Sequence, residues 1–274
     1  MINFLHTFNP NPILISIGKI TIYYYGAFIV LGILIGVFIA IKLSKYYNIE
    51  KQDIIDSAFW AIISGIIGAR IYHIFLELPY YLEHPLNIFK IWQGGIAIHG
   101  GIIGGLIALF IFTKKKKINF LNLIGIYAPA LAFAQTIGRW GNYFNQELFG
   151  KPTNFPWGIP ILPENKIAEY YNFQYFHPTF LYESIGNLII FVILILIHYL
   201  IIKKKIKNNH LPIFIYLIAY SVLRFLTEYI RIDKTPELLG MRLPQIVSII
   251  IVILITFIYA KNNYFRKTSR EKIG

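Results

Sequence analysis

The sequence predicts an all-α integral membrane protein with seven transmembrane helices. Three observations lead there. Hydrophobic residues make up 56% of the chain and charged residues only 14%, and the apolar residues fall in blocks instead of the spaced stripe of a soluble amphipathic helix. A helix needs about 20 apolar residues to cross a bilayer, and runs of that kind recur at 20–41, 57–77, 96–113, 119–138, 180–202, 211–230 and 245–260. Strand alternation is absent, which favours a helical bundle over a barrel.

The elements justify themselves in turn. Residues 1–19 carry the polar run Asn9-Pro10-Asn11-Pro12 ahead of a span with no small-residue cleavage site, so the first span is expected to stay in the mature protein. The second span contains Gly68-Ala69-Arg70; from the sequence Arg70 is free to pair with Glu77, two turns along. The third opens with glycines, where Gly100 with Gly104 and Gly101 with Gly105 make two small-xxx-small faces for close helix approach. The fourth is diluted by Asn119, Asn122, Pro129 and Gln135, the fifth begins beyond His177-Pro178, and the sixth carries Tyr220, Arg224 and Glu228. One membrane domain over 1–274, with an insert at 139–178 between the fourth and fifth helices, is the simplest organisation.

Orientation follows from lysine and arginine. Segments 42–51, 114–117, 203–207 and 261–274 carry 3, 4, 4 and 5 basic residues, whereas 1–19, 78–95, 139–178 and 231–242 carry 1, 1, 3 and 3. The positive-inside rule then puts the C-terminus in the cytoplasm and the N-terminus outside, with the 139–178 insert facing outward. The net charge of +13 sits mostly beside span ends, so topology and anionic lipid explain it, and nucleic acid is not implied. There is no cysteine and the seven histidines are scattered, so neither a thiolate nor a histidine metal site is indicated.

Two places concentrate polar chemistry. Gly138-Arg139-Trp140-Gly141-Asn142-Tyr143-Phe144-Asn145-Gln146-Glu147-Leu148-Phe149-Gly150 sets an arginine, two asparagines and a glutamate where an apolar segment leaves the membrane. Tyr220, Arg224, Glu228 and Arg231, spaced four, four and three, share one helical face. An ionisable group at mid-bilayer costs on the order of 2.5–3.5 kcal/mol, so this stripe must face protein or a wet cavity. It reads either as an intrahelical Arg224–Glu228 ion pair that fixes packing or as part of a cationic site.

The G-R-x-G-N-x-x-N-x-E-x-x-G spacing resembles the signature of the prolipoprotein diacylglyceryl transferases. Further matches follow the chain: Tyr24-Tyr25-Gly26, Gly68-Ala69-Arg70, the His99-Gly100-Gly101 context, His177-Pro178-Thr179-Phe180-Leu181-Tyr182-Glu183, and Tyr220, Arg224 and the run from Glu228 to Asp233. Gln146 stands where small residues are common in the family, and Phe180 where a polar one is.

The resemblance implies transfer of the diacylglyceryl group of phosphatidylglycerol to the lipobox cysteine of a preprolipoprotein, in the bacterial cytoplasmic (inner) membrane with the active site toward the outer face. It implies partners that are lipids and a peptide, with no cofactor and no metal. On this reading Arg139 and Arg224 clamp the phosphate, since arginine matches a phosphate edge as lysine does not, and His99 or Glu147 accepts the thiol proton. Tyr25, Asn142, Asn145, Gly150, Tyr220, Glu228 and Arg231 complete the substrate contacts. A transporter would carry inverted repeats, and none is found. An aspartyl intramembrane protease is excluded because Asp53, Asp56 and Asp233 all lie outside the expected spans, and a serine type because Ser64 follows Ile62-Ile63 with no Gly-x-Ser motif.

Overall fold

The computed structural model describes residues 2–18 and 20–271, with side chains for 4–18 and 21–261. Its helices are α1 (Ile2–Thr7), α2 (Tyr24–Ser44), α3 (Lys51–Leu76), α4 (Leu78–Glu83), α5 (Ile98–Lys116), α6 (Phe120–Phe144), α7 (Thr179–Ile202), α8 (Leu211–Glu228) and α9 (Leu243–Glu271). Among the described residues, seven helical stretches are long and apolar enough to cross a membrane: Tyr24–Tyr47, Lys51–Leu76, Ile98–Lys116, Phe120–Phe144, Thr179–Ile202, Leu211–Glu228 and Leu243–Lys261. This matches the expected count and order and makes the chain a multi-pass membrane protein. Most ends differ from the sequence reading by a few residues, α2 for instance beginning at Tyr24 because Ile20–Tyr23 form a strand, and α9 runs on to Glu271. α3 begins six residues earlier, at Lys51, and α6 continues through Arg139 and Asn142 to Phe144. Both extensions are polar, so hydropathy alone cuts them short.

Strands are few and small: β1 (Ile13–Ile17) with β2 (Ile20–Tyr23), β3 (Ile159–Pro160) with β4 (Tyr175–Phe176), and β5 (Glu237–Leu238) with β6 (Met241–Arg242), each an antiparallel pair. The β5–β6 hairpin turns on Leu239 (φ 55°) and Gly240 (φ 72°), two left-handed residues of the kind tight hairpins demand.

The chain forms two compact units, one of Val37–Ile126 and the other of the residues up to Gly36 together with those from Tyr127 on. In the Val37–Ile126 unit, α3 and α5 pack through glycine. A Cβ at Gly68 would strike the Gly100 carbonyl and lie 3.1 Å from the Gly104 Cα, and one at Gly100 would strike the Gly68 carbonyl and the Tyr72 Cβ. The Gly101/Gly105 face is looser, with the Gly65 carbonyl 3.6 Å from a Cβ at Gly101 and the Ala61 carbonyl 3.5 Å from one at Gly105. Of the two faces expected from the sequence, the one through Gly100 and Gly104 makes the close contact.

The same unit contains a strap from His84 to Ala97 that includes two short 3-10 turns, Pro85–Phe89 and Ile91–Gln93, and gathers around one arginine. Arg70, buried in α3, donates from Nε to the Ile88 carbonyl (2.9 Å), from Nη1 to those of Gly94 (2.8 Å) and Gly95 (2.7 Å), and from Nη2 to that of Asn87. The Glu77 partner left open by the sequence is not used. Four carbonyl dipoles satisfy the guanidinium, which in turn pairs the Gly94 and Gly95 carbonyls and joins the Lys90 amide (3.1 Å) on that of Asn87.

In the other unit, Gly32 of α2 lies against Ala134 of α6, where a Cβ would come within 3.2 Å of the Ala134 Cα. A core of Leu5, Tyr143, Phe149, Ile159, Ile161, Phe176 and Phe180 supports the 139–178 segment. α1 completes this core: Leu5 is in it, and His6 stacks on Tyr175 (3.8 Å) and approaches the Gly158 carbonyl through Nδ1 (2.9 Å). Phe180 stacks on Tyr143 at 4.6 Å, which accounts for an apolar residue at that position.

Gly100→Ala should therefore destabilise the protein by about 1–3 kcal/mol, because backbone cannot yield to an added methyl, while Gly101→Ala should be nearly neutral. Thermal unfolding in one detergent would compare them, and equal midpoints would remove the close α3–α5 contact.

Candidate active site

The 139–150 signature is half helix and half turn. The last turns of α6 present Arg139 and Asn142 on one side, three residues apart. Beyond Phe144, Gln146 (φ 51°) and Leu148 (φ 56°) both take the left-handed conformation, an uncommon state for residues other than glycine. Those two residues bracket Glu147 and turn it back on the helix, where its amide donates to the Asn142 carbonyl (3.0 Å) and its carboxylate accepts from Asn142 Nδ2 (2.7 Å). Asn142 Oδ1 faces Arg139 Nη1 at 3.4 Å, so the buried amide stands between a cation and an anion with each end matched to its neighbour. Gln146, in place of a small residue, secures its turn through Oε1, which accepts from the Leu162 amide (2.8 Å) and Asn165 Nδ2 (3.2 Å).

The glycines of the signature are not equivalent. A Cβ at Gly141 would enter the Tyr25 ring and lie 3.1 Å from the Tyr25 Cα, so this glycine lets Tyr25 lie on α6. One at Gly150 would meet Ile230 Cγ2 at 2.7 Å and His177 Cβ at 2.8 Å. Gly150 donates to the His177 carbonyl (2.9 Å) and bridges Arg231 in antiparallel fashion. Around Gly138 no other protein atom comes within 4 Å of an added Cβ.

Glu183, in the second turn of α7, is the centre of the site. Its carboxylate, buried at 4% side-chain exposure, forms ion pairs with Arg139, with Arg231 Nη1 (3.1 Å) and with Arg224 Nη1 (3.6 Å). A second acid stands beside it. Glu228, wholly buried, has Arg224 Nη2 at 2.8 Å, Arg242 Nε at 3.2 Å and Arg231 Nε at 4.0 Å. These contacts are ionic but poorly aligned for hydrogen bonding, since neither Glu228 oxygen has a hydrogen-bond partner. The Arg224–Glu228 pair left open by the sequence is therefore real but shared among more partners.

The turn after α8 completes the network. Asp233 accepts from Arg231 Nε (2.7 Å) and lies 3.5 Å from Arg242 Nη2. Burial pushes this carboxyl up, but the Arg231 bond and the neighbouring arginine charges outweigh it and hold Asp233 below the ordinary carboxylate range. For Arg231 burial works against the charge, and Asp233 and Glu183 more than restore it. Arg242, returned by the β5–β6 hairpin, donates to the carbonyls of Arg231 (2.7 Å), Glu228 (3.3 Å) and Asp233. Four guanidinium groups thus face three carboxylates in direct contact, leaving one positive charge over, with Glu147 attached through Asn142. Arg139 and Arg224 keep 19% and 20% side-chain exposure, whereas Arg231 keeps 3%.

The other sequence candidates stand as follows. Tyr220 stacks on Tyr216 at 5.9 Å, and Tyr216 donates to Gln135 Oε1 (3.2 Å). Tyr25 and Glu147 are exposed, and Asn145, partly exposed, donates its amide to the Gly141 carbonyl (3.0 Å). His177 approaches the Tyr182 hydroxyl through Nδ1 (3.0 Å), and burial lowers its pKa. His99 belongs to the Val37–Ile126 unit, exposed on the first turn of α5 with its ring 5.9 Å from that of Tyr72. Glu183 and Arg242 were missed as site residues. Glu183 is the only carboxylate in its span, a signal that was present in the sequence. Arg242 gives none, because its partners are set by the hairpin.

The chain is matched by the family model described as prolipoprotein diacylglyceryl transferase over residues 12–261. Curated relatives named phosphatidylglycerol–prolipoprotein diacylglyceryl transferase include one from Nostoc sp., 44% identical over 90% of this chain and 87% of its own length. Another from Synechocystis sp. is 41% identical with the same coverage, and one from Fervidobacterium nodosum is 39% identical over 87% of this chain and 80% of its own. With a match across nearly its whole length and relatives at this identity, the chain belongs to the prolipoprotein diacylglyceryl transferase family.

Proposed function

We propose that this enzyme transfers the diacylglyceryl group of phosphatidylglycerol to the lipobox cysteine of a preprolipoprotein, the first step of bacterial lipoprotein maturation. The observation that carries the reading is the arginine-rich network around Glu183, in which four arginines meet three directly paired carboxylates and Arg139 and Arg224 stay partly exposed. An anionic phosphate diester suits such a site, because guanidinium donors pair with its oxygens in a medium of low dielectric.

In the reaction the cysteine sulfur attacks the glycerol carbon that bears the phosphate ester. A thioether C–S bond forms, the C–O bond breaks, and glycerol phosphate leaves with the electron pair. Arg139 and Arg224 neutralise the charge gathering on that phosphate. A free thiol has a pKa of about 8.5 and is only slightly ionised at neutral pH, so a base must take its proton. Either Glu147, exposed and braced by Asn142, or His99 takes it. Arg231 and Arg242 hold the acids that keep the exposed arginines in place, and Tyr25, Asn145, Gly150 and Tyr220 border the headgroup. The enzyme resides in the bacterial cytoplasmic membrane with the 139–178 insert and active site outward and the C-terminus in the cytoplasm, as the 16-to-8 division of basic residues between alternate loops indicates.

Purified protein mixed with phosphatidylglycerol and a lipobox peptide should add one diacylglyceryl group to the peptide cysteine by mass, and a peptide left unmodified would reject the reading. In the same assay Arg139→Lys should fold normally yet lose about a hundredfold in turnover, the scale of one lost transition-state donor; near-normal turnover would reduce Arg139 to a source of field.

Glu183→Gln removes the charge shared by three arginines, and its thermal stability should fall by about 3–5 kcal/mol, as when one partner of a buried pair is lost. An unchanged midpoint would show that those arginines are held by other means.

Orientation is open to direct test in this cysteine-free chain. Cysteine placed at Glu164 should react with an impermeant thiol reagent in intact cells and cysteine at Lys205 should not. The reverse pattern would invert the topology and the active site with it.

A further inference from the structure

Nothing within α5 fixes where that helix begins. Its N-cap is Ala97, which offers no side chain to the free amides of the first turn, no acidic residue stands in that turn, and Gly100-Gly101 are poor helix formers. The start is held from α3 instead, by three consecutive residues. The Ala97 amide donates to the Ala69 carbonyl (3.0 Å), and Gly100 packs on Gly68. Arg70 Nη1 donates to the carbonyls of Gly94 (2.8 Å) and Gly95 (2.7 Å), the turn that leads the strap toward Ala97. Both glycines have positive φ (89° and 72°), and a Cβ on Gly95 would lie 2.5 Å from Arg70 Nη1, so the guanidinium sits directly against the turn.

Burial of Arg70 needs a reason. An ionised side chain inside a span is costly and ordinarily marks function, yet the four hydrogen bonds this one donates all end on carbonyls of the strap, with its guanidinium carbon 5.1 Å from the centre of the Tyr81 ring. What the strap leads into is His99, the second residue of α5, exposed and with its ring centroid 5.9 Å from that of Tyr72. A helix end of such low propensity frays unless tertiary contacts hold it. A base, for its part, has to keep its nitrogen within about 3 Å of the group whose proton it takes. The place of the His99 ring is therefore set by α3 and not by α5 itself.

We propose that Arg70 is a positioning residue for the transfer reaction and acts through His99: by fastening the Gly94-Gly95 turn it sets the first turn of α5 and with it the place of the imidazole. The assignment rests on the transfer reaction above and takes His99, of its two acceptors, as the one positioned.

The test uses full-length protein in phosphatidylglycerol vesicles with a lipobox cysteine peptide. Arg70→Lys keeps the charge but cannot span four carbonyls. Gly94→Ala disturbs the turn from the strap side with Arg70 intact, and it decides the matter if the lysine variant does not fold. Each should lose about ten- to a hundredfold in kcat, the scale of a small misplacement of a reacting group, with KM for the lipid within about twofold of the wild type. Combined with His99→Gln, neither should lower turnover below that of His99→Gln alone, because a residue that acts through another has no effect once the other is gone. Where His99→Gln turns over too slowly to measure, hydrogen exchange decides: the bonded amides of Ala97 and Gly101 should exchange about tenfold faster in the variants while those of α8 keep their wild-type rates. Normal kcat in the deciding variant overturns the assignment, as does a loss confined to KM. So do losses that multiply with that of His99→Gln, unchanged exchange at Ala97 and Gly101, or a His99→Gln enzyme as active as the wild type. Failure of the wild type to modify the peptide would instead refute the transfer reaction itself, a separate result.

Discussion

Glu183 and the three arginines that share it govern the arrangement of the polar centre. The carboxylate enters from α7, and its partners come from α6, from α8 and from the turn beyond α8. Taking ions out of water costs several kcal/mol each, which attraction offsets only where geometry and further hydrogen bonds are good. Here the offset is collective. Each carboxylate answers to more than one arginine, and Asp233 with the carbonyls around Arg242 absorbs the remaining donors. Such sharing fixes helix ends relative to one another more firmly than it adds stability, which is the best-attested use of buried charge.

The two units achieve close helix packing by different chemistry. Between α3 and α5 it is backbone on backbone, with glycines removing every obstacle. Among α6, α7 and α8 the ties are charges and hydrogen bonds, including the Ser184 hydroxyl donating to the Thr136 carbonyl (2.9 Å) and Tyr216 donating to Gln135. Glycine packing tolerates no side chain at the seam. Charge packing needs several at once, which is why polar residues gather in the helices that carry the candidate chemistry.

The architecture was largely legible in the sequence because lipid imposes a simple demand: about 20 apolar residues per crossing, seven times over. The span ends were less so, since α6 carries Arg139 and Asn142 in its last turns and hydropathy does not register polar side chains that face protein. The ionisable face of Tyr220, Arg224, Glu228 and Arg231 could be read from spacing, but whether Arg224 kept Glu228 to itself could not. That depended on Glu183 and Arg242, which are brought near by the tertiary fold; Glu183 meets Arg231 across 48 residues.

The two arginine assemblies also differ in what protons can do to them. Around Glu183 the acceptors are largely carboxylates, groups that protonation can neutralise. For Asp233, held below its ordinary range, the stabilisation present above the unfolded value is lost only as pH falls through the lower folded one. The strap clasped by Arg70 has amide carbonyls as its acceptors, and these take up no proton in that range, while the guanidinium never gives one up. Acid would thus loosen the charged centre and leave the clasp of Arg70 fastened, so that a strap built only of short 3-10 turns outlasts the network on which the chemistry depends.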